Sequence, residues 1–420
     1  MSDVEVLLDW EGSQMPLGLL RRFPAAGHES LTFTYADSWL AFPGRFSIEP
    51  SLKVTAGAFA LPPGRRMFGA LGDSAPDTWG RALMQRRERL ASLREGRKAR
   101  WFQEVDYLLG VTDIARLGAM RFRKKGSLTF ESPLEGGVPG YVALGALLVA
   151  ADRVERGEDT EEDLRVIFAP GSSLGGARPK ASVYDQAGRL AIAKFPKQSD
   201  VYSIERWEGI ALALAAMAGI TVSEHAMVDM GDRDVLLSYR FDRNAGHRIP
   251  FLSAMAMIGG RDGESGSYLE LADQISENGA TAKADRTELY RRLVFNVLIS
   301  NLDDHMRNHG FLWTGAGGWT LSPAYDLNPV SQNERPRILV THIDLEDGTC
   351  DLGLVLEVAG FFGLTKRAAV AVVCEVVRAT RQWRAVAESR GAPAREIKFM
   401  ESAFEHADLA TAETLCGGLT

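Results

Sequence analysis

The sequence predicts an α+β chain of two lobes, a β-rich N-terminal part with an extra N-terminal subdomain and a mostly helical C-terminal part. Three observations lead there. Short runs of alternating apolar residues fall almost entirely before residue 250. Helical periodicity dominates after Phe251. A charged passage with glycine and proline, residues 123–139, separates a first small unit from the remainder of the chain.

Val4, Val6, Leu8 and Trp10 alternate, as do Leu31, Phe33 and Tyr35, so two strands with one buried face are expected. Pro76, with Asp77 beside it, opens a helix through Trp79, Leu83 and Met84 to Leu93. Beyond the linker come a helix over residues 141–156 and a short one capped by Thr160. Residues 171–180, GSSLGGARPK, cannot be regular throughout because of their glycines and Pro179. They lead into strands at 181–184 and 190–195, joined by a turn at 185–188. A helix over 204–218 and strands at 226–228 and 235–241 come next. One strand pair, 311–313 with 319–321, interrupts the later helices. The implied domains are 1–125, an N-lobe core over 140–250 and a helical C-lobe over 251–420.

At 420 residues the chain has room for two or three domains and a large core. Its 55 acidic residues against 48 basic ones leave a charge of −7, which disfavours nucleic acid as the sole partner. Cys350, Cys374 and Cys416 are odd in number and form no CxxC pair, so neither a disulfide framework nor a cysteine zinc site is expected. The acidic N-terminus lacks the basic residues of a signal peptide. The longest apolar stretches, 143–151 and 211–222, are short of the ~20 residues that a membrane helix needs. A cytoplasmic protein without membrane contact is the expectation.

The segment FNVLISNLDDHMRNHGFLW, residues 295–313, carries the sharpest chemistry. An apolar helix ends in a polar cluster of Asn301, Asp303, Asp304, His305, Arg307, Asn308 and His309. Such a cluster is costly to desolvate unless it meets metal, substrate or partners. Asp303 and Asn308 have the Asp-x-x-x-x-Asn spacing of a kinase catalytic loop, where the Asp accepts a hydroxyl proton and the Asn holds magnesium. By itself the spacing is weak and equally fits a solvated helix end. Downstream, Asp326 in SPAYDL stands where a second magnesium carboxylate belongs, although a turn or cap residue would read the same. Upstream, Lys194 closes LAIAK like the strand lysine that neutralises phosphates, with Glu208 or Glu205 placed to pair with it. Alone, Lys194 reads equally as a solvated strand edge. Gly175 and Gly176 could admit phosphate to backbone N–H groups, with Lys180 adding charge. The loop is not a Walker A, since Ala177 and Arg178 come after them. These pieces occur in kinase order. A competing metal-hydrolase reading takes His305 and His309, four apart, as ligands on one helix face, but Met306 replaces the required Glu.

At these residues the sequence resembles the HipA family of serine/threonine-protein kinase toxins from bacterial toxin–antitoxin systems. FGALGDSAPDTWGR (68–81) and LGAMRF (117–122) resemble its N-terminal subdomain. SSLGGARPKA, LAIAKFP, YRFDR, LDDHMRNHGF and LSPAYDLNP resemble its kinase core. The resemblance implies a protein-kinase-like fold, ATP and Mg as cofactors, and Asp303 as catalytic base with Asn308 and Asp326 as metal ligands. It implies an ATP site lined by Gly175, Gly176, Ala177, Arg178, Pro179, Lys180, Lys194, Tyr239, Arg240, Phe241, His305, Met306, Arg307, Asn308 and Tyr325. Glu208 would form the structural ion pair and Ser173 would be autophosphorylated. Implied partners are a small DNA-binding antitoxin, DNA only through it, and a protein substrate such as an aminoacyl-tRNA synthetase. Asp304 departs from the Gly of the best-known members, and an extra carboxylate there could alter substrate or metal preference. The non-enzymatic alternative is a catalytically silent co-repressor that acts only with the antitoxin.

Overall fold

The computed structural model describes residues 3–25, 28–130, 138–168, 177–231, 233–261, 263–315 and 317–417. The chain divides into two compact units, Met1–Ser199 with Val228–Leu252, and Asp200–Met227 with Ser253–Thr420.

In the first unit, β1 (Val4–Trp10), β2 (Ser13–Ala25), β3 (His28–Tyr35), β4 (Ala58–Ala60) and β5 (Met120–Lys124) form a sheet in the order β4-β3-β2-β1-β5. Strands β2, β4 and β5 were not expected. Pro16 and Gly18 interrupt the alternation in β2, yet Pro16 sits where the β1–β2 register shifts, between Val6 and Leu7. Gly18 is required there, because a Cβ would lie 2.5 Å from the Thr34 carbonyl oxygen. Arg123 and Lys124, assigned to a linker, instead pair with Glu5 and Val4 across the sheet.

Around this sheet lie α1 (Asp37–Ala41), α2 (Gly69–Gly72), α3 (Thr78–Arg94) and α4 (Glu104–Gly110). Helix α3 starts two residues later than expected. Asp77 is its N-cap, accepting from the Gly80 N–H at 2.7 Å, and Pro76 precedes the cap. Helices α5 (Leu144–Arg156) and α6 (Glu161–Phe168) pack on each other, and α6 also packs on α3. The Thr160 hydroxyl accepts from the Asp163 N–H, which starts α6. A second sheet runs β6-β7-β9-β8, from β6 (Lys180–Tyr184), β7 (Leu190–Lys194), β8 (His225–Asp229) and β9 (Asp234–Tyr239). The small pair β10 (Arg243–Asn244) and β11 (His247–Arg248) and the start of β12 (Phe251–Ser253) complete the unit.

The second unit takes α7 (Ile204–Met217), which the domain expectation had grouped with the preceding strands. It continues with α8 (Ala254–Met257), α9 (Tyr268–Asn278) and α10 (Ala282–Ile299), then the hairpin β13 (Gly310–Trp313) and β14 (Trp319–Leu321). Five further helices complete it: α11 (Leu352–Glu357), α12 (Lys366–Thr380), α13 (Trp383–Ser389), α14 (Ala394–Phe404) and α15 (Ala407–Gly417). From Leu293 to Ile299 every residue of α10 is buried, so this helix is the unit's axis. Cys374 on α12 and Cys416 on α15 form a disulfide with Cα atoms 5.5 Å apart, which corrects the expectation of unpaired cysteines. Their separation of 42 residues hides the packing of α12 on α15. Among the described residues no helix is long and apolar enough to cross a membrane.

Candidate active site

The buried axis α10 ends at Ser300, which takes a left-handed conformation (φ 52°). The Asn301 N–H closes the helix by bonding the Asn296 carbonyl at 2.9 Å. The chain therefore leaves the core abruptly, and residues 301–309 form a non-helical loop held from several sides. Asn301 and Asp304 point inward and are buried, whereas the Asp303 side chain remains 63% exposed. Asn308 folds back so that its Nδ2 donates to the Asp303 carbonyl at 3.0 Å. The loop thus presents one open carboxylate with an amide fastened beside its backbone. Arg335 approaches the Asp303 carboxylate only to 3.8 Å, a distant and exposed pair of little energetic weight.

The second carboxylate comes after the hairpin. Asp326 also has a left-handed backbone (φ 59°), a conformation that Asp tolerates better than most residues. Its N–H donates to Glu208 Oε1 at 3.1 Å, and Asn328 Nδ2 donates to its Oδ1 at 3.2 Å. Buried Glu208 on α7 therefore fixes the turn that carries Asp326. Tyr325 anchors the same turn to the catalytic-type loop, donating its hydroxyl to the Arg307 carbonyl at 2.7 Å.

His305, half-buried, has a shielded Nδ1 without a hydrogen-bond partner among the described residues. Met306 is buried, and its carbonyl accepts the Met255 N–H. The hydrolase alternative fails on local geometry. His305 and His309 do not share a helix face, because their segment is not helical, and His309 Nε2 is 3.0 Å from Asp304 Oδ1.

Asp304 is not the accessible extra carboxylate that the sequence suggested. It is 1% exposed and receives the Tyr268 hydroxyl as well as His309. Burial pushes its pKa up, but the His309 charge and the hydrogen bonds from His309 and Tyr268 outweigh burial and hold it below the usual range. Asn296, Tyr268 and Asn328 are the residues that sequence reading missed here. An asparagine within the apolar run FNVLIS was the available signal for the first.

The nucleotide residues expected in the first unit divide sharply. Lys194 closes β7 opposite Lys180 and is half-buried. Lys180 Nζ lies 3.0 Å from Asp77 Oδ2, with both side chains buried, so its charge is engaged at the start of α3. Arg240 is likewise turned inward. It pairs with buried Asp242 and donates to the Ala115 and Arg116 carbonyls at 2.8 and 3.0 Å. Both side chains are thus held in ion pairs within the first unit. Tyr239 is half-buried under the Arg189 guanidinium, 3.9 Å from the ring centre. Phe241 packs near Phe251 at 6.2 Å between ring centres. Ala177 is exposed, Arg178 half-buried and Pro179 buried. Ser173, Gly175 and Gly176 lie outside the described residues.

The donor chemistry in the second unit fits magnesium. Asp326 and Asn308 offer the hard oxygen donors that such an ion would need, and Asn328 Oδ1 is shielded from solvent without a hydrogen-bond partner among the described residues.

A β-rich unit followed by a helical unit with these two loops defines an α+β, two-lobed protein-kinase-like fold. Comparison places it further. Residues 172–384, slightly more than half of the chain, match the HipA-like C-terminal domain, and residues 12–99 match the HipA N-terminal domain. The chain belongs to the HipA family. It is 30% identical over 152 residues to Y4dM of Sinorhizobium fredii, whose name proposes a kinase. That match spans 32% of this chain and 36% of the relative. The fold is similar to HipA of Shewanella oneidensis MR-1, solved with HipB and operator DNA. The TM-score is 0.67 at 17% identity, covering 99% of this chain and 97% of that one. A kinase of Helicobacter pylori, CtkA, aligns over 59% of the chain with a TM-score of 0.46 and 14% identity.

Proposed function

We propose that the chain is an ATP- and magnesium-dependent serine/threonine-protein kinase, the toxin partner of a small DNA-binding antitoxin. The observation that carries this reading is the pair of loops on one rigid support. Asp303 stands open with Asn308 fastened to its carbonyl, and Asp326 is set in a turn by Glu208. Asp303 would take the proton of the acceptor serine hydroxyl as its oxygen attacks the γ-phosphorus. Asn308 and Asp326 would hold magnesium, which supplies charge neutralisation on the transferring phosphoryl group. Lys194 would orient the phosphates. Positioning and electrostatics provide most of such catalysis, so the rigidity of these loops is itself functional. Family membership and the fold shared with an antitoxin-bound HipA support the partner, and the charge of −7 is consistent with DNA contact only through it. The substrate is a protein serine, with an aminoacyl-tRNA synthetase as first candidate, and Ser173 is the proposed site of self-modification.

One observation favours the second reading, a silent co-repressor: two cations expected at the nucleotide, Lys180 and Arg240, are engaged elsewhere. Incubation with radiolabelled ATP and magnesium decides between them. Label transferred by the unaltered chain and not by Asp303→Asn supports the kinase. No transfer by either, with antitoxin-dependent operator binding intact, supports the co-repressor.

A further inference from the structure

The two loops of the candidate site are joined by a buried chain of hydrogen bonds that runs behind them, through side chains that touch neither nucleotide nor substrate in the proposed mechanism. It begins at Asp304, directly after the open Asp303. The Tyr268 hydroxyl, from the first turn of α9, donates to Asp304 Oδ2. Asn296, inside α10, donates its Nδ2 to the Tyr268 oxygen at 2.8 Å. Asn301 Nδ2 donates to Asn296 Oδ1 at 3.0 Å, and Asn301 Oδ1 accepts the Asn328 N–H at 2.9 Å. Asn328 Nδ2 then donates to Asp326 Oδ1 at 3.2 Å. Asp304, Tyr268, Asn296 and Asn301 are each 0–1% exposed.

Two asparagines and a tyrosine in a buried interior, Asn296, Asn301 and Tyr268, are costly unless their polar atoms are satisfied. From the Asn328 backbone to Asp304 every bond is donated in one direction, while the Asn328 side chain donates the other way, to Asp326. The amide orientations are set by the chain itself, since Asp304 can only accept and the Asn301 oxygen must face a backbone N–H. A helix axis needs no such residues for packing, and apolar side chains would fill the space at less cost. What the chain does provide is a fixed relation between Asp303–Asn308 on one loop and Asp326 on the other.

We propose that Asp304, Tyr268, Asn296, Asn301 and Asn328 are positioning residues that hold the metal-binding carboxylate of Asp326 in register with the loop of Asp303 and Asn308. This rests on the kinase reading and deepens it. Asp304 thereby acts as the anchor of the chain, with His309 steadying it from the other side, and is not a determinant of substrate choice. Asn328 Oδ1 is shielded and without a hydrogen-bond partner among the described residues.

The test removes one oxygen in the middle, Tyr268→Phe, and one amide at the end, Asn328→Ala. A fluorescent ATP analogue reports nucleotide binding as magnesium is titrated, with no need for turnover. The unaltered chain should bind with a defined magnesium midpoint. Tyr268→Phe should raise that midpoint roughly tenfold while leaving magnesium-free nucleotide affinity unchanged. The double variant should be no worse than Asn328→Ala alone, because both cut one chain. A purely structural role would lower the thermal midpoint and leave the magnesium midpoint within twofold, which overturns the proposal alone. Nucleotide binding by the unaltered chain without any magnesium dependence overturns the kinase reading and this proposal with it.

Discussion

Asp242 in the first unit and Asp304 in the second are both withdrawn from solvent, yet their partners differ in kind. Asp242 is surrounded by charge. Arg240 Nε and Arg243 Nη1 reach it at 2.6 Å each, and the Gly118 N–H donates at 2.6 Å. Asp304 meets a phenol and an imidazole, and its bonding continues through neutral amides. Guanidinium groups satisfy a buried carboxylate by strong attraction and end the network there. Neutral donors attract less but have direction, so they can transmit a geometry over several residues. The first arrangement suits a joint, since Arg240 and Arg243 also bind the carbonyls of Ile114, Ala115, Arg116 and Gly118. The second suits a site.

The largest expected break of this comparison lies at Asp303, which belongs to neither network. Asp303→Asn should leave the thermal midpoint and nucleotide binding near those of the unaltered chain. Phosphoryl transfer should fall about 10²–10⁴-fold, the usual contribution of a positioned base. Transfer within tenfold of normal would remove Asp303 from the mechanism.

Next in size is Asp242→Ala, which strands two buried guanidinium groups. Breaking such a pair costs about 3–5 kcal/mol, read as a drop in the denaturant midpoint. Asp304→Ala should cost less, about 2–3 kcal/mol, because it abandons Tyr268 and His309 donors that carry less charge. The contrast sharpens if activity is measured beside stability. Asp304→Ala should lose transfer beyond what its unfolded fraction explains, and Asp242→Ala should not.

The spacing of Asp303, Asn308 and Asp326 was legible because it is local, and local spacing survives without knowledge of the fold. The order of strands and helices was legible for the same reason, wherever periodicity was unbroken. Strand β2 escaped because Pro16 and Gly18 mask its alternation, although both serve the bulge and the close approach to β3. The ion pairs of Lys180 and Arg240 were not legible, because a positive charge near a glycine loop invites a phosphate reading. Only tertiary structure shows Asp77 and Asp242 waiting for them. Tyr268 carried no signal of its own, and the one signal for Asn296, an asparagine in an apolar helix, has many uses. The Cys374–Cys416 bond was hidden in the same way, by a pairing of helices far apart in the chain.

The smallest effect distinguishes the two aspartates by acid. Burial pushes Asp242 up, but the charges of Arg240 and Arg243 and the bonds to it prevail and hold its pKa down to about 2, against an ordinary 3.8. A carboxylate with a depressed folded pKa stabilises the native state fully above its unfolded pKa. That contribution fades as pH falls from near 4 toward 2, because the unfolded chain takes up the proton first. The loss attributable to Asp242 is at most about 2 kcal/mol across that window. Asp242→Asn removes the titration, at a cost in stability that is already present at neutral pH. Its stability should therefore change less between pH 4 and pH 2 than that of the unaltered chain, when both are followed by denaturant unfolding. Parallel acid profiles for the two proteins would show that the arginines do not hold Asp242 ionised, and the contrast between a joint closed by arginines and a site held by a directional amide chain would fall with it.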